Sequence, residues 1–443
     1  MKDKFGSIVI LAAGAGTRMK SAAPKVMHEI SGRKMIDFVL NEALNASNDV
    51  ILVLYHEFDA ISKYINENFM NFITHNNLRI TRQDHENFPG TGGAIKAAFS
   101  LARHDRIVVL NGDMPLITEE FINNLNSTEN EMVLAILEMD DPSGYGRVIT
   151  RGSLVQKIVE EKDAMASEKF VRSVNAGAYS FSKKFLADNL DKLDNNNAQK
   201  EYYITDLVEI AFKAGIEIAA VRGNKEILMG VNSKEDLAIA EFLQQKRKKQ
   251  ILTKSGVIMR LPDTIYIDDR AEFEGECILE NGVVIIGKCK IKNSHIKAHS
   301  VIEESEIVES DIGPMAHIRP KCAIYETHIG NFVETKNATL KEVKAGHLSY
   351  LGDAEIGENT NIGAGTITCN YDGMAKHKTI IGKNVFIGSD TQLVAPVTIP
   401  DNVLIGAGTT LTKSPNSGDL VLTRSPQTSI ANFFYKFFKN EPK

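Results

Sequence analysis

Residues Ile381–Leu411 read IGKNVFIGSDTQLVAPVTIPDNVLIGAGTTL. The aliphatic residues Ile381, Ile387, Leu393, Ile399, Ile405 and Leu411 recur at every sixth position without a break. That step fits neither the period of an α-helix nor the two-residue alternation of a simple strand. It fits a parallel β-helix in which each flat side takes one hexad, the aliphatic residue points inward and a glycine turns the corner. Gly382, Gly388 and Gly406 follow their aliphatic residue directly. Three hexads make one coil, so Ile381 is expected to stack on Ile399 and Ile387 on Ile405. The same step runs through Ile312, Ile318 and Ile324, and through Ile356 and Ile362. From about Tyr325 to Leu351 it fails, which predicts an inserted or projecting loop. A departure from repeat grammar is a place to look for function.

Upstream of Gly230 the grammar differs. Ile8–Ala12, Val50–Leu54, Ile107–Leu110 and Met132–Leu137 are apolar runs that predict buried strands. Met35, Ile36, Val39, Leu40, Ala43 and Leu44 recur at helical spacing between the first two. Alternating strand and helix predicts an α/β domain, Rossmann-like, with a mostly parallel sheet. Ligands of such sheets sit beyond the carboxyl ends of the strands. Ser233 and Asp236 have the spacing of a capping box, and a helical pattern follows to about Gln250. The expected domains are therefore residues 1–230, a linker helix at 231–250, and a β-helix over 251–443. The cations Lys246-Arg247-Lys248-Lys249 are read as complementing the dipole at the end of that helix.

Two strand ends carry the chemistry of the first domain. "LAAGAGTRM" at Leu11–Met19 starts like a dinucleotide fingerprint, but Met19 stands where the third glycine would be. Arg18 lies in the loop and Lys25 just beyond Pro24. Two cations suit a loop that works on phosphates, whose oxygens backbone N–H groups also cradle. Asp113, in "NGDMP", is placed to hold a divalent cation such as Mg²⁺, which favours one or two carboxylates plus substrate phosphate oxygens. Each feature has a plain structural alternative, a turn or a tight strand-to-helix connection; their combination favours chemistry. No Ser-His-Asp or Cys-His set is evident in this half. An attacking phosphate is already ionised near neutral pH and needs no general base.

In the second half His347 lies where the period fails, three residues before Tyr350. A lone histidine is usually a surface or packed residue. Here Arg319, Lys336 and Lys376 accompany it, and a bound sugar phosphate would account for such cations on an apolar solenoid. Histidine is also the usual base for deprotonating an amine. Cys369 is read as a packed thiol. The aromatic "ANFFYKFFK" at Ala431–Lys439 predicts a short amphipathic helix docked on the solenoid or on a neighbouring subunit; a membrane-surface anchor, with Lys436, Lys439 and Lys443, is the alternative.

Net charge is −6, which points away from nucleic-acid or anionic-membrane partners. The cysteines Cys277, Cys289, Cys322 and Cys369 lack metal-site spacing and are read as reduced thiols. With no leader-like segment and no apolar run of spanning length, the expected address is cytoplasmic.

"LAAGAGTRM…PKVM", "PGTGGA", "NGDMPL", "GYGRV", "VEEKDA", "VNAGAY", "EYYITD" and "GVN" occur in the order found in sugar-1-phosphate nucleotidylyltransferases. The second half resembles left-handed β-helix acyltransferases. Together with "GHLSYLGDAEIG" and "NIGAGTITCNYDG", nearly the whole chain resembles the bacterial bifunctional N-acetylglucosamine-1-phosphate uridylyltransferase/glucosamine-1-phosphate N-acetyltransferase family. The resemblance implies that Leu11, Ala13 and Gly14 touch uracil and ribose. Arg18 and Lys25 would hold the UTP phosphates, and Gln83, Gly90 and Thr91 would read uracil. Asp113 and Asn232 would bind Mg²⁺. Gly146, Glu160, Asn175 and Asn232 would hold the N-acetylglucosamine phosphate. For the second reaction it implies His347 as base, oriented by Glu334. Arg319, Lys336, Tyr350, Asn361 and Lys376 would bind the sugar phosphate. Ala364, Asn370, Tyr371, Ser389, Ala407 and Arg424 would contact acetyl-CoA, and a homotrimer is implied. The interval from Gln83 to Gly90 is longer than the family pattern, and the segment around Arg319 and Lys336 a residue shorter. Two other readings stay open: a nucleotidylyltransferase whose β-helix only oligomerises or regulates, and a nucleotide-sensing scaffold.

Overall fold

The structure is a computed structural model that describes residues 6–14, 16–152 and 154–438. The chain forms two compact units that divide between Lys246 and Arg247.

In the first unit seven strands run in the order Ile218–Arg222, Met132–Glu138, Ser173–Ser182, Arg106–Asn111, Ser7–Ala12, Val50–Leu54, Leu78–Arg82. Ser173–Ser182 is antiparallel to both neighbours, and the other pairings along this order are parallel. Strand side chains alternate in direction, so a sheet covered on both faces must feed two cores. It does. Ile8, Ile10, Leu52 and Leu54 pack with Ile36, Val39, Leu40 and Ala43 of the helix Met35–Ala46. Val9, Leu11, Ile51 and Val53 pack with Ala94, Ile95 and Ala98 of the helix Thr91–Phe99. This explains why every residue of Ser7–Ala12 and of Val50–Leu54 is buried. Leu11 pairs with Asn111, so the loops leaving these two strands start side by side. A hairpin of Arg147–Arg151 and Leu154–Val159 joins Ser173–Ser182 through Val174 and Arg147.

The helix Lys234–Lys254 runs across the division. Its start is the capping box: Ser233 Oγ accepts from Asp236 N at 3.1 Å and Asp236 Oδ2 from Ser233 N at 2.9 Å. It outlasts the expected end at Gln250, which corrects the reading of the cation run. Those residues do not terminate the helix. Lys248 donates to the carbonyls of Asp269 and Ala271, and burial pushes the Lys249 ammonium below its usual range.

In the second unit, among the described residues, three parallel sheets of ten, nine and eight strands form a three-sided β-helix. Each strand pairs with the one a full coil later. Ile381 stacks on Ile399 and Ile387 on Ile405, as the hexads require. Glycine at the corner after the aliphatic residue has a packing reason: a Cβ on Gly388 would lie 2.4 Å from Ala407 N. Opposite corners take the left-handed conformation on asparagine, which tolerates it: Asn359, Asn384 and Asn402 have φ of +58°, +54° and +61°.

The expected loop at Tyr325–Leu351 is not there. Ile329, Thr335, Leu340, Ala345 and Leu351 all point inward, at steps of five or six. Left-handed Asn337 and Glu342 turn the shortened sides, and Thr335 and Ala345 replace aliphatic residues. The projecting segment instead comprises residues 370–378, between the strands Ile367–Cys369 and Thr379–Ile381. The C-terminal helix Phe433–Phe438 is not docked on the solenoid. Its rings stack on one another and stay exposed, Phe437 by 66%. Lys439 and Lys443 lie outside the described residues.

Candidate functional site

Both strand ends of the first unit converge on one cluster of charges. Gly16, at φ +62°, lets the first loop pass Lys25 so closely that an added Cβ would lie 2.6 Å from the lysine Cβ. Gly112 N donates to Leu11 O at 2.8 Å and sets Asp113 beside that loop. Val231 N donates to Asp113 O at 2.8 Å, which brings in Asn232. Lys25 Nζ then lies 2.5 Å from Asp113 Oδ2 and 3.1 Å from Asn232 Oδ1. Arg18 Nη2 donates to the same Asn232 oxygen at 2.8 Å. Asp113 and Asn232 thus present converging hard oxygen donors already gathered on a cation, and they fit Mg²⁺ completed by phosphate and water.

Two cavities share this cluster. One, of about 450 Å³, is lined by Leu11, Ala13, Gly14, Lys25, Gln83, Gly90, Thr91 and Asp113. Gln83 is buried, and its Nε2 donates to Phe88 O and Gly90 O, both at 2.9 Å. Its amide hydrogens therefore hold the loop 84–90 in shape, and Oε1 is left as an acceptor. Gly90, at φ +91°, passes 2.7 Å from Tyr202 O where its Cβ would be. The other cavity, of about 310 Å³, is lined by Arg18, Asp113, Gly146, Glu160, Asn175 and Asn232. Asn175 sits where the register of Ser173–Ser182 shifts, and it donates to Tyr179 Oη at 2.5 Å. Burial pushes the Glu160 carboxyl above its usual range, partly offset by a 3.1 Å bond from Thr205 Oγ1.

The second unit separates its candidates between two sides of the coil. Arg319, Glu334, Lys336 and Lys376 line a cavity of about 720 Å³ with His317 and Asp353. Lys376 and Arg319 push the Lys336 ammonium below its usual range, as crowded cations do. Glu334 accepts from Arg319 Nη1 at 2.9 Å; among the described residues no ion pair joins it to His347, so its expected orienting role is not seen in one chain. Tyr350 pairs in register with Glu334. His347 and Asn361 belong to the adjacent side: His347 ends the strand Val343–His347, and Asn361 pairs with Lys344.

The corner beside His347 forms a column. Gly365 N donates to Leu348 O at 3.1 Å, Asp390 N to Ala364 O at 2.7 Å, and Gly408 N to Ser389 O at 2.8 Å. Arg424 caps it, donating to Ala407 O at 3.1 Å. Ala364, Ser389 and Ala407 thus line up along the axis with His347 at the foot. Asn370 is apart from them, bonded to Asp353 Oδ2 at 2.5 Å, and Tyr371 stands exposed on the projecting segment. Burial pushes the Cys369 thiol up, away from a nucleophilic thiolate.

Residues 8–164 match the family of MobA-like NTP transferase domains, and residues 378–413 match the bacterial transferase hexapeptide family of six repeats. Over 99% of both chains the sequence is 54% identical to the bifunctional protein GlmU of Aliarcobacter butzleri. It is 53% identical to that of Wolinella succinogenes over 98% of this chain and 99% of the relative. The chain belongs to the bifunctional GlmU family. It is a transferase with a Rossmann-like nucleotidyltransferase fold followed by a left-handed β-helix of hexapeptide repeats.

For a GlmU-family chain, sequence reasoning missed several lining residues. His56, His85, Asn111 and Glu201 face the first cavity, and Tyr145, Thr205 and Asp236 the second. Asn111 opens "NGDMP", Tyr145 lies in "GYGRV", and Glu201 and Thr205 lie in "EYYITD", motifs in which other residues carry the sequence reading. His56 follows the end of Val50–Leu54, where the strand-end rule applies equally. His85 lies in the lengthened interval after Gln83.

Proposed function

We propose that the chain makes UDP-N-acetylglucosamine in two steps, each unit performing one. It is a glucosamine-1-phosphate N-acetyltransferase through its β-helix and a UTP:N-acetylglucosamine-1-phosphate uridylyltransferase through its Rossmann-like unit. The product feeds cell-envelope synthesis. The observation that carries the uridylyl step is the charge cluster of Lys25, Asp113, Asn232 and Arg18 on the wall between two cavities. A nucleoside triphosphate in the first and a sugar phosphate in the second would meet there. A sugar-phosphate oxygen attacks the α-phosphorus as the bond to pyrophosphate breaks. Arg18 and Lys25 hold the phosphates. Asp113 and Asn232 would hold Mg²⁺, which when bound offsets phosphate charge and aligns the reactants. Leu11, Ala13, Gly14 and Thr91 pack on uracil and ribose. Gln83 Oε1 accepts from uracil N3–H, a donor that cytosine lacks. Gly146, Glu160 and Asn175 hold the sugar.

In the β-helix, acetyl-CoA runs along the Ala364–Ser389–Ala407 column toward His347, with Arg424 at the far end; Asn370 and Tyr371, which stand apart from that column, would reach it from a neighbouring copy. His347 removes the amine proton as nitrogen attacks the thioester carbonyl and CoA thiolate leaves. The phosphate goes to Arg319, Lys336 and Lys376, with Tyr350 and Asn361 at the sugar. Because the cation cavity and His347 occupy different sides of one coil, the complete site lies between copies, in a homotrimer. The reading places the enzyme in the cytoplasm; among the described residues no helix is long and apolar enough to cross a membrane.

The test supplies glucosamine-1-phosphate, acetyl-CoA, UTP and Mg²⁺ and looks for UDP-N-acetylglucosamine, CoA and pyrophosphate. Asp113→Ala should abolish pyrophosphate release and leave CoA release intact. Loss of both by a folded variant would refute independent sites.

A further inference from the structure

We propose that Lys25 is a stand-in for the metal: in the nucleotide-free enzyme its ammonium fills the seat between Asp113 and Asn232, and a triphosphate must draw it away before a divalent cation can enter. This rests on the metal reading of those two residues. The Lys25 and Asp113 side chains are only 16% and 13% exposed, and a carboxylate so withdrawn from water needs a cationic partner. Lys25 supplies it at 2.5 Å while also reaching Asn232 Oδ1, which Arg18 engages too. Both cations expected to grip phosphate are thus tethered to the expected metal donors. The lysine backbone is held by Pro24 before it and by the pass of Gly16 beside its Cβ, so the movable part is the head of the side chain. A divalent cation arriving alone would have to evict the ammonium and leave it unpaired beside two positive charges. A triphosphate gives Lys25 and Arg18 new oxygens and frees Asp113 and Asn232 in the same movement. Metal and nucleotide then bind with positive coupling, which by linkage each exerts equally on the other.

The experiment measures Mn²⁺ binding to the full chain by electron paramagnetic resonance, without nucleotide and with a non-hydrolysable UTP analogue. Wild type should bind Mn²⁺ weakly alone and at least about tenfold more tightly with the analogue, within the usual range of coupling. Lys25→Met should bind Mn²⁺ alone about tenfold more tightly than wild type, and the gain should persist in about 0.5 M KCl, where fields between separated charges are screened. A gain that vanishes in salt, or no gain, overturns the stand-in. With the analogue bound, Asp113→Asn should remove the Mn²⁺ site that wild type shows. If it does while Lys25→Met shows no gain, the metal reading stands and the stand-in fails; if it does not, both fail. On the wild-type protein, the Lys25 ¹⁵Nζ resonance should move with the analogue alone and stay put with Mg²⁺ alone; movement with Mg²⁺ alone overturns the proposal.

Discussion

His347 is an exposed side chain at the foot of a column of small residues, and its value lies in that position. His347→Ala should lower acetyl transfer by about two to four orders of magnitude, the usual worth of a general base, as read by CoA release. Uridylyl transfer from ready-made N-acetylglucosamine-1-phosphate should continue unchanged. Raising the pH should restore part of the variant's acetyl rate, because more of the amine is then free without help. Near wild-type transfer at neutral pH would return His347 to an ordinary surface role. Single residues were unevenly legible in the sequence. Asp113 and Lys25 announced themselves by charge next to glycine loops. The restriction of Gln83 to its carbonyl oxygen did not, because it depends on how the chain from Asp84 to Gly90 folds back on the amide. The resemblance ties Glu334 to His347, but the Glu334 carboxylate accepts from the Arg319 side chain instead.

At the scale of elements, the helix Asp206–Lys213 begins with a carboxyl that folding does not favour in charged form. Burial, with Asp194 and Glu160 nearby, pushes Asp206 up to about 6 from 3.8. The folded state therefore binds this proton more tightly than the unfolded chain, and stability falls as pH rises from about 4 to 6. Asp206→Asn removes that penalty. It should stabilise the first unit by about 1 kcal/mol above pH 6, a figure discounted for partial solvent exposure, and the gain should fade below about pH 4. Thermal unfolding at both pH values checks the sign; an Asn variant that gains equally at low pH would exclude titration as the cause. The elements themselves were legible where one pattern dominated. The six-step run gave the stacking of Ile381 on Ile399, and apolar runs alternating with helical spacing gave the mostly parallel sheet. Tyr325–Leu351 was misread because a coil side can lose a residue at a left-handed corner and accept Thr335 or Ala345 inside, changes that erase the period without leaving the fold.

For the molecule as a whole, the proposed acetyl site, divided between two sides of one coil, predicts assembly. Light scattering should return three times the 48.9 kDa chain, and a stable monomer with full acetyl transfer would rule out a shared site. Composition and repeat grammar set out both units, whereas assembly enters the sequence reading only through the resemblance, which implies a homotrimer. The β-helix also has a mechanical side. Among the described residues its ladders join each strand only to the coil before and the coil after. Tension applied from Leu420–Val421 inward would load one coil's rungs at a time and part them in turn, like a zip rather than a rope. Optical-trap extension of the second unit should then show a staircase of small rips, each lengthening the chain by roughly 6 nm, the contour of a single coil. A lone cooperative rupture would mean that neighbouring copies, not neighbouring coils, carry the load.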